Sequence, residues 1–316
     1  MPNQNKTCDI IIPTWQSEAT IEEVLSALLS QQLPPDWKIQ VIISDDGSTD
    51  DSLVLADQLC RHHSWPYQII HGAHTGAAGA RNRGLAQSQA DLIVFLGADI
   101  ILRPGALLAH LTWHHRHPAT KIAALGHIAW DPRLKPSPFM EWLVHGGPQN
   151  DFDSLLGQRL AAPHRFWYGS HLSVKRALLI KDTFAEVFQR YGWEDAELGR
   201  RLESRGVNLH VLFTARALHR HNYLPQDVLR RQQQVGQNLH VYQRLHPSLT
   251  LGPSVDPSKK LLYRLLIYSG TLTVLRLIVQ LFPQISLPKV FKLLTNIWFW
   301  QGLWMGSTEP KRNYLS

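Results

Sequence analysis

Three apolar runs in the first hundred residues each stop abruptly at polar residues, and this repeated design constrains the fold more than any other feature. Cys8-Asp9-Ile10-Ile11-Ile12 ends at Pro13-Thr14, and Leu92-Ile93-Val94-Phe95-Leu96 ends at Gly97-Ala98-Asp99. Val41-Ile42-Ile43 ends at Ser44 and the turn Asp45-Asp46-Gly47-Ser48-Thr49-Asp50. Short, nearly continuous apolar runs suit strands buried on both faces, as in a parallel sheet. Open α/β sheets bind ligands beyond the carboxyl ends of their strands. Thr14, Asp45, Asp46 and Asp99 are therefore expected along one rim.

Helical spacing fills the gaps between these runs. Ile21, Val24, Leu25, Leu28 and Leu29 follow Ser17, a candidate N-cap, and Leu53, Val54, Leu55 and Leu59 repeat the pattern after Asp50. Tyr67-Gln68-Ile69-Ile70 reads as a short strand, and the small-residue stretch Gly76-Ala77-Ala78-Gly79-Ala80-Arg81-Asn82-Arg83-Gly84-Leu85 as a helix. Strands alternating with helices predict βαβ units and an α/β fold with a doubly wound, mainly parallel sheet.

The rhythm changes after residue 120. Residues 121–130 read as a strand, 131–163 as a Pro-, Gly- and Asn-rich insertion, and 165–175 as extended chain. A helix is expected over 195–205, ending at Gly206 as its C-cap, then a strand over 207–213 that runs toward His219-Arg220-His221. Residues 225–245 form a polar, Gln-rich helical stretch. The expected division is a 1–225 domain, with a ligand-binding half over 8–100 and a second half over 101–225, followed by a helical tail over 226–316.

In the tail, 261–282 is apolar for about one bilayer span but is interrupted by Arg264 and Arg276. A central arginine costs roughly 2.5–3.5 kcal/mol on insertion, which disfavours spanning. Residues 290–305 follow with Trp298, Trp300 and Trp304, and Lys259, Lys260, Lys289 and Lys292 flank the apolar segments. That pattern suits helices lying in a membrane interface through 261–305. The alternative is a helical hairpin packed on the rest of the chain or on a second copy.

A net charge of +7 favours anionic partners. Nucleic acid is not expected, because no basic helix is interleaved with aromatics. Cys8 and Cys60 are expected as reduced core thiols of a cytosolic protein, and residues 1–7 lack the apolar core of a secretory signal. Nothing in the sequence sets an oligomeric state.

Five segments together resemble glycosyltransferase family 2: Asp9-Ile10-Ile11-Ile12-Pro13-Thr14, the Asp45–Asp50 turn, Gly76 to Leu85, Phe95-Leu96-Gly97-Ala98-Asp99-Ile100, and Gly192-Trp193-Glu194-Asp195 with the stretch after it to Leu202. They occur in the family's order, and the likeness covers residues 8–222. The resemblance implies a GT-A fold, a nucleotide-sugar donor, Mn²⁺ or Mg²⁺, and inversion at the anomeric carbon. It implies donor contacts from Thr14, Asp45, Asp46, Arg81 and Asp99, with Arg81 toward the diphosphate.

The family's Asp-x-Asp reads Gly97-Ala98-Asp99 here, so Asp99 is the implied metal ligand, with His219, or His221 as its alternative, completing the set. Asp195 is the implied general base, because inverting transfer needs a carboxylate beside the acceptor hydroxyl. Trp193 and Glu194 are implied acceptor contacts. Gly169-Ser170-His171-Leu172-Ser173 resembles the stretch before the base, with His171 where Asn is common. The implied acceptor is a glycan or polyprenyl-linked molecule in cell-envelope or exopolysaccharide synthesis, met at the inner face of the cytoplasmic membrane. UDP is the default donor nucleotide.

Two other readings compete. A nucleotidyltransferase would share the sheet but needs a Gly-rich activation loop with a Lys or Arg near the first strand, which residues 15–20 lack. A nucleotide-sugar-binding module without transferase activity would fit the weakened metal motif, but not the joint retention of Asp99 and Asp195.

Overall fold

A computed structural model describes residues 6–188, 190–249, 263, 265–266, 270–281 and 283–308. The described chain divides into two compact units. One lies within 1–134, 152–186 and 194–221, the other within 135–151, 187–193 and 222–316.

The first unit is built on a nine-stranded sheet. Its strands are β1 (Lys6–Thr14), β2 (Trp37–Asp45), β3 (Tyr67–Ile70), β4 (Leu92–Leu96), β5 (Ile100–Leu102), β6 (Ile122–Trp130), β7 (Leu160–Ala161), β8 (His171–Lys175) and β9 (Asn208–His219). They run in the order β3-β2-β1-β4-β8-β6-β9-β5, with β7 also paired to β9. The half β3-β2-β1-β4 is parallel throughout, as the alternating pattern of the first hundred residues predicts. β8 then pairs antiparallel to both β4 and β6, so the sheet is mixed rather than continuously wound.

Parallel strands buried on both faces explain the unbroken apolar runs. Ile10, Ile11, Ile12, Val41, Ile42, Ile43, Val94 and Phe95 are all fully or almost fully buried. Helices α1 (Ile21–Leu29), α2 (Ser52–Arg61), α3 (Gly76–Gln87) and α4 (Ala106–Arg116) connect the strands. Ser17 does not cap α1: the helix begins after Thr20, while the Ser17 backbone N–H donates to Ser52 Oγ at 2.7 Å. The loop after β1 is laced instead to the loop after β2, with Thr49 N–H donating to Gln16 Oε1 at 2.8 Å and Glu18 N–H to Asp50 Oδ2 at 3.1 Å. Cys8 and Cys60 are buried free thiols, and burial pushes the Cys8 thiol well above its ordinary value.

Three short helices break up the later part of the chain, α5 (Pro138–Val144), α6 (Pro163–Phe166) and α7 (Arg176–Leu179), before α8 (Glu194–Ser204). α5 lies inside the stretch read as aperiodic. Its signals are local: Ser137 caps by accepting from Met140 N–H at 3.3 Å, and Pro138 occupies the first turn.

The second unit contains α5 and three longer helices, α9 (Pro225–Leu245), α10 (Thr271–Leu281) and α11 (Pro288–Thr308). α9 and α11 cross closely, because an added Cβ at Gly236 would lie 2.0 Å from Phe299 O and one at Gly302 1.8 Å from Gln233 O. Phe291, Leu294, Ile297 and Trp300 bury one face of α11. The tryptophan cluster expected at a membrane interface thus contributes at least Trp300 to helix packing. Among the described residues no helix is long and apolar enough to cross a membrane. Much of 250–269 lies outside the described residues, including Arg264 and the lysines before it.

Candidate active site

Register brings the three polar strand ends together. Thr14 lies level with Asp45 across the β1–β2 pair, and Asp46 N–H donates to Thr14 O at 2.8 Å. Thr14 is buried, with its hydroxyl donating to Ile12 O. Trp15, absent from the expected site residues, is 54% exposed beside this rim and packs on the His74 ring at 4.8 Å.

The paired carboxylates of the turn have separate roles. Asp45 accepts from Ser48 N–H at 3.0 Å and Gly47 N–H at 3.2 Å, which closes the turn on itself. Asp46 is enclosed by its own chain. It accepts from Thr75 N–H at 2.9 Å and Gly76 N–H at 2.8 Å, so it caps the start of α3 from a distance. Arg83 Nη2 adds a bond at 2.7 Å and also donates to Asp45 O at 2.9 Å. Sequence reading passed over Arg83, although a second arginine two residues after Arg81 was a visible signal.

Asp99 follows β4 and precedes β5, whose first residue Ile100 lies opposite His219 of β9. That register puts His219 Nε2 3.1 Å from Asp99 Oδ2 and His221 Nδ1 3.7 Å from the same oxygen. The Trp130 ring stacks on His219 at 5.1 Å. Just beyond Trp130, the fully buried Asp131 binds Arg133 through both carboxylate oxygens at 2.6–3.1 Å, and Arg220 Nη1 lies 3.5 Å away. Burial pushes the Asp131 carboxyl upward, but the bonds from Arg133 and the Arg220 charge outweigh it and hold the group below its ordinary value. Asp131 N–H donates to His219 O and Arg220 N–H to Asp99 O, tying this ion-paired knot to the Asp99–His219 pair. Asp131 ends an apolar strand just as Asp99 does, a signal that sequence reading left unused.

Asp195 sits in the first turn of α8, where the helix dipole favours a carboxylate. Its Oδ2 accepts from Gly169 N–H at 2.9 Å and its Oδ1 from Arg81 Nη1 at 3.3 Å. Glu194 Oε1 is 3.7 Å from the same Arg81 nitrogen, and the Arg81 guanidinium lies over the Phe184 ring at 5.1 Å. Arg81, expected toward a diphosphate, is 6% exposed and engaged with acidic side chains, and its Nε meets no hydrogen-bond partner among the described residues. Gly169 permits this approach, because an added Cβ would lie 2.7 Å from Asp195 Oδ1 and 2.9 Å from Arg81 Cζ.

The next residue reaches the turn that carries the other carboxylate, since Ser170 O accepts from Gly97 N–H at 2.8 Å. Gly97 itself has little space, with an added Cβ 2.9 Å from Ile100 and 3.0 Å from Asp99. The backbone step Gly169–Ser170 thus joins the Asp195 and Asp99 neighbourhoods. The Asp195 and Asp99 side chains keep 26% and 31% of their surface, against 4% for Asp45 and for Asp46.

His171 and Ser173 face inward from β8 and are fully buried. His110 bridges them, with Nδ1 2.7 Å from Ser173 Oγ and Nε2 3.2 Å from His171 Nε2, and His114 Nε2 lies 2.9 Å from the same hydroxyl. Burial pushes His110 and His114 down to about 3. Trp193 adopts a left-handed φ of 79°, donates from Nε1 to Val235 O at 2.8 Å and packs on Tyr242 at 4.7 Å.

Among the described residues no group of three His, Cys, Asp or Glu side chains forms a complete metal site. The Asp99–His219 pair nonetheless fits Mn²⁺ or Mg²⁺, which take oxygen and imidazole donors and retain waters and phosphate oxygens at their remaining positions. 

Comparison with known proteins agrees with this frame. The family model described as "Glycosyl transferase family 2" matches residues 9–170, just over half of the chain. Validoxylamine A glucosyltransferase of Streptomyces hygroscopicus subsp. limoneus is 25% identical over 223 residues, covering 64% of this chain and 49% of that protein. Poly(ribitol-phosphate) beta-glucosyltransferase of Bacillus spizizenii is 32% identical over 100 residues, covering 31% of this chain and 16% of that protein. Mannosyltransferase PcManGT of Pyrobaculum calidifontis, solved with GDP-Man and Mn²⁺, shares the fold at a TM-score of 0.59 and 16% identity, over 97% of this chain and 88% of that one. The chain spans about half the length, or less, of these curated relatives. With a GT-A-type mixed sheet and a family match over residues 9–170, the chain belongs to glycosyltransferase family 2.

Proposed function

We propose that the protein is an inverting glycosyltransferase that moves a sugar from a nucleoside-diphosphate donor, UDP by default, to a glycan or polyprenyl-linked acceptor of cell-envelope or exopolysaccharide synthesis. We place that reaction at the inner face of the cytoplasmic membrane. The observation that carries the reading is the pair of accessible carboxylates, Asp195 and Asp99, joined through the Gly169–Ser170 step at the carboxyl edge of the parallel strands.

Thr14, the Asp45 turn and the exposed Trp15 line the rim where a nucleoside can lie, with the indole as a flat packing face. Asp46 acts there indirectly, by fixing the start of α3. Asp99 and His219 would hold Mn²⁺ or Mg²⁺, which when bound supplies positive charge beside the donor diphosphate. Asp195 takes the proton from the acceptor hydroxyl as that oxygen attacks the anomeric carbon and the bond to the diphosphate breaks. Gly169 N–H and Arg81 orient both of its oxygens for that task. Glu194 shares Arg81 and borders the acceptor.

The test is a panel of nucleotide-sugars incubated with the full chain, with and without Mn²⁺. Release of nucleoside diphosphate that Mn²⁺ stimulates is the expected result. Pyrophosphate-dependent exchange would assign a nucleotidyltransferase instead, and binding without turnover a non-catalytic module.

A further inference from the structure

α10 is apolar on two opposite faces. Leu272 and Val279 are buried on one, while Val274, Leu277 and Leu281 project from the other with 57%, 43% and 70% of their surface exposed. At 100° per residue these three fall within one narrow stripe. Ile285 extends the exposed aliphatic surface just beyond the helix. On another side of α10, between it and α9 and α11, lies a cleft of about 200 Å³ lined by Gln226, Leu229, Arg230, Gln233, Arg276 and Trp298. The Nε of Arg276 is buried there and meets no hydrogen-bond partner among the described residues.

Charge selects the occupant. Residues 257–308 contain Lys259, Lys260, Arg264, Arg276, Lys289 and Lys292 and no Asp or Glu. A second copy of the chain would set Arg276 of α10 and the exposed Lys289 and Lys292 of α11 against their own likeness. An anionic lipid surface complements both features, taking aliphatic side chains at the acyl boundary and guanidinium groups at its phosphates. We propose that α10 docks on an anionic membrane, with Val274, Leu277 and Leu281 entering the interface and the Arg230–Arg276 cleft receiving a phosphate-bearing headgroup. This deepens the membrane-face part of the proposed function, and it is read by binding alone, without any transfer reaction.

The experiment is flotation of the full chain with vesicles of phosphatidylcholine alone and of phosphatidylcholine mixed with phosphatidylglycerol. Binding is expected only to the mixed vesicles, with partial release at high salt because the charge attraction is screened. Leu277→Asp with Leu281→Asp should weaken binding about tenfold or more, the size of losing one buried leucine. Arg230→Gln with Arg276→Gln should weaken it about fivefold per arginine. Far-UV circular dichroism checks that both double variants keep their helix content, and either one that does carries the test. Two results would overturn the proposal: no preference for anionic vesicles, or a dimer in light scattering that Leu277→Asp dissolves while vesicles are ignored.

Discussion

Asp46 and Asp195 are both carboxylates at helix N-termini, yet their surroundings assign them opposite work. Asp46 is nearly sealed and fully used by Thr75, Gly76 and Arg83, so its removal strands two backbone donors and takes the carboxylate partner from a guanidinium. Asp46→Ala should therefore destabilise the fold by about 3 kcal/mol, read as a shift in the urea midpoint. A shift no larger than that of a surface substitution would contradict this role. Asp99 is more open and pairs with His219. Asp99→Ala should abolish Mn²⁺-dependent donor binding in calorimetry, and His219→Ala should weaken it. Metal dependence that survives Asp99→Ala would put the ion elsewhere.

At the scale of elements, β8 and α4 enclose an imidazole–hydroxyl cluster in which His110, His114 and His171 are all held far below their ordinary values by burial. Such groups are neutral when folded and take up protons when unfolded. The unfolded state binds more protons below about pH 6.5, so stability is present above that pH and is lost as pH falls toward about 3. Each imidazole can contribute up to about 1.4 kcal/mol per pH unit in that window. Melting temperature should fall steeply between pH 7 and pH 5, and His110→Gln should flatten the slope. An unchanged slope in that variant would remove the cluster as its source.

This cluster also shows where sequence reading stops. The parallel strands were legible because burial on both faces demands unbroken apolar residues, and Thr14, Asp45 and Asp99 were legible as their ends. Histidines spaced four apart on α4 carry no such signature, since only the antiparallel insertion of β8 brings Ser173 to them. The engagement of Arg81 with Asp195 joins residues 114 positions apart. No local pattern distinguishes that contact from a phosphate contact.

For the whole molecule, the family match ends at residue 170, while the proposed base at Asp195 and the three longer helices of the second unit lie beyond it. The base role proposed for Asp195 comes from the family resemblance, and its surroundings support it: the carboxylate is oriented by Gly169 and Arg81, open to the site, and joined through one backbone step to the Asp99 neighbourhood. The most direct measurement compares the wild-type chain with Asp195→Asn, pairing donor affinity from calorimetry with the rate of nucleoside diphosphate release. The account predicts donor affinity little changed and turnover lowered about 10²–10⁴-fold. Wild-type turnover in Asp195→Asn would contradict it.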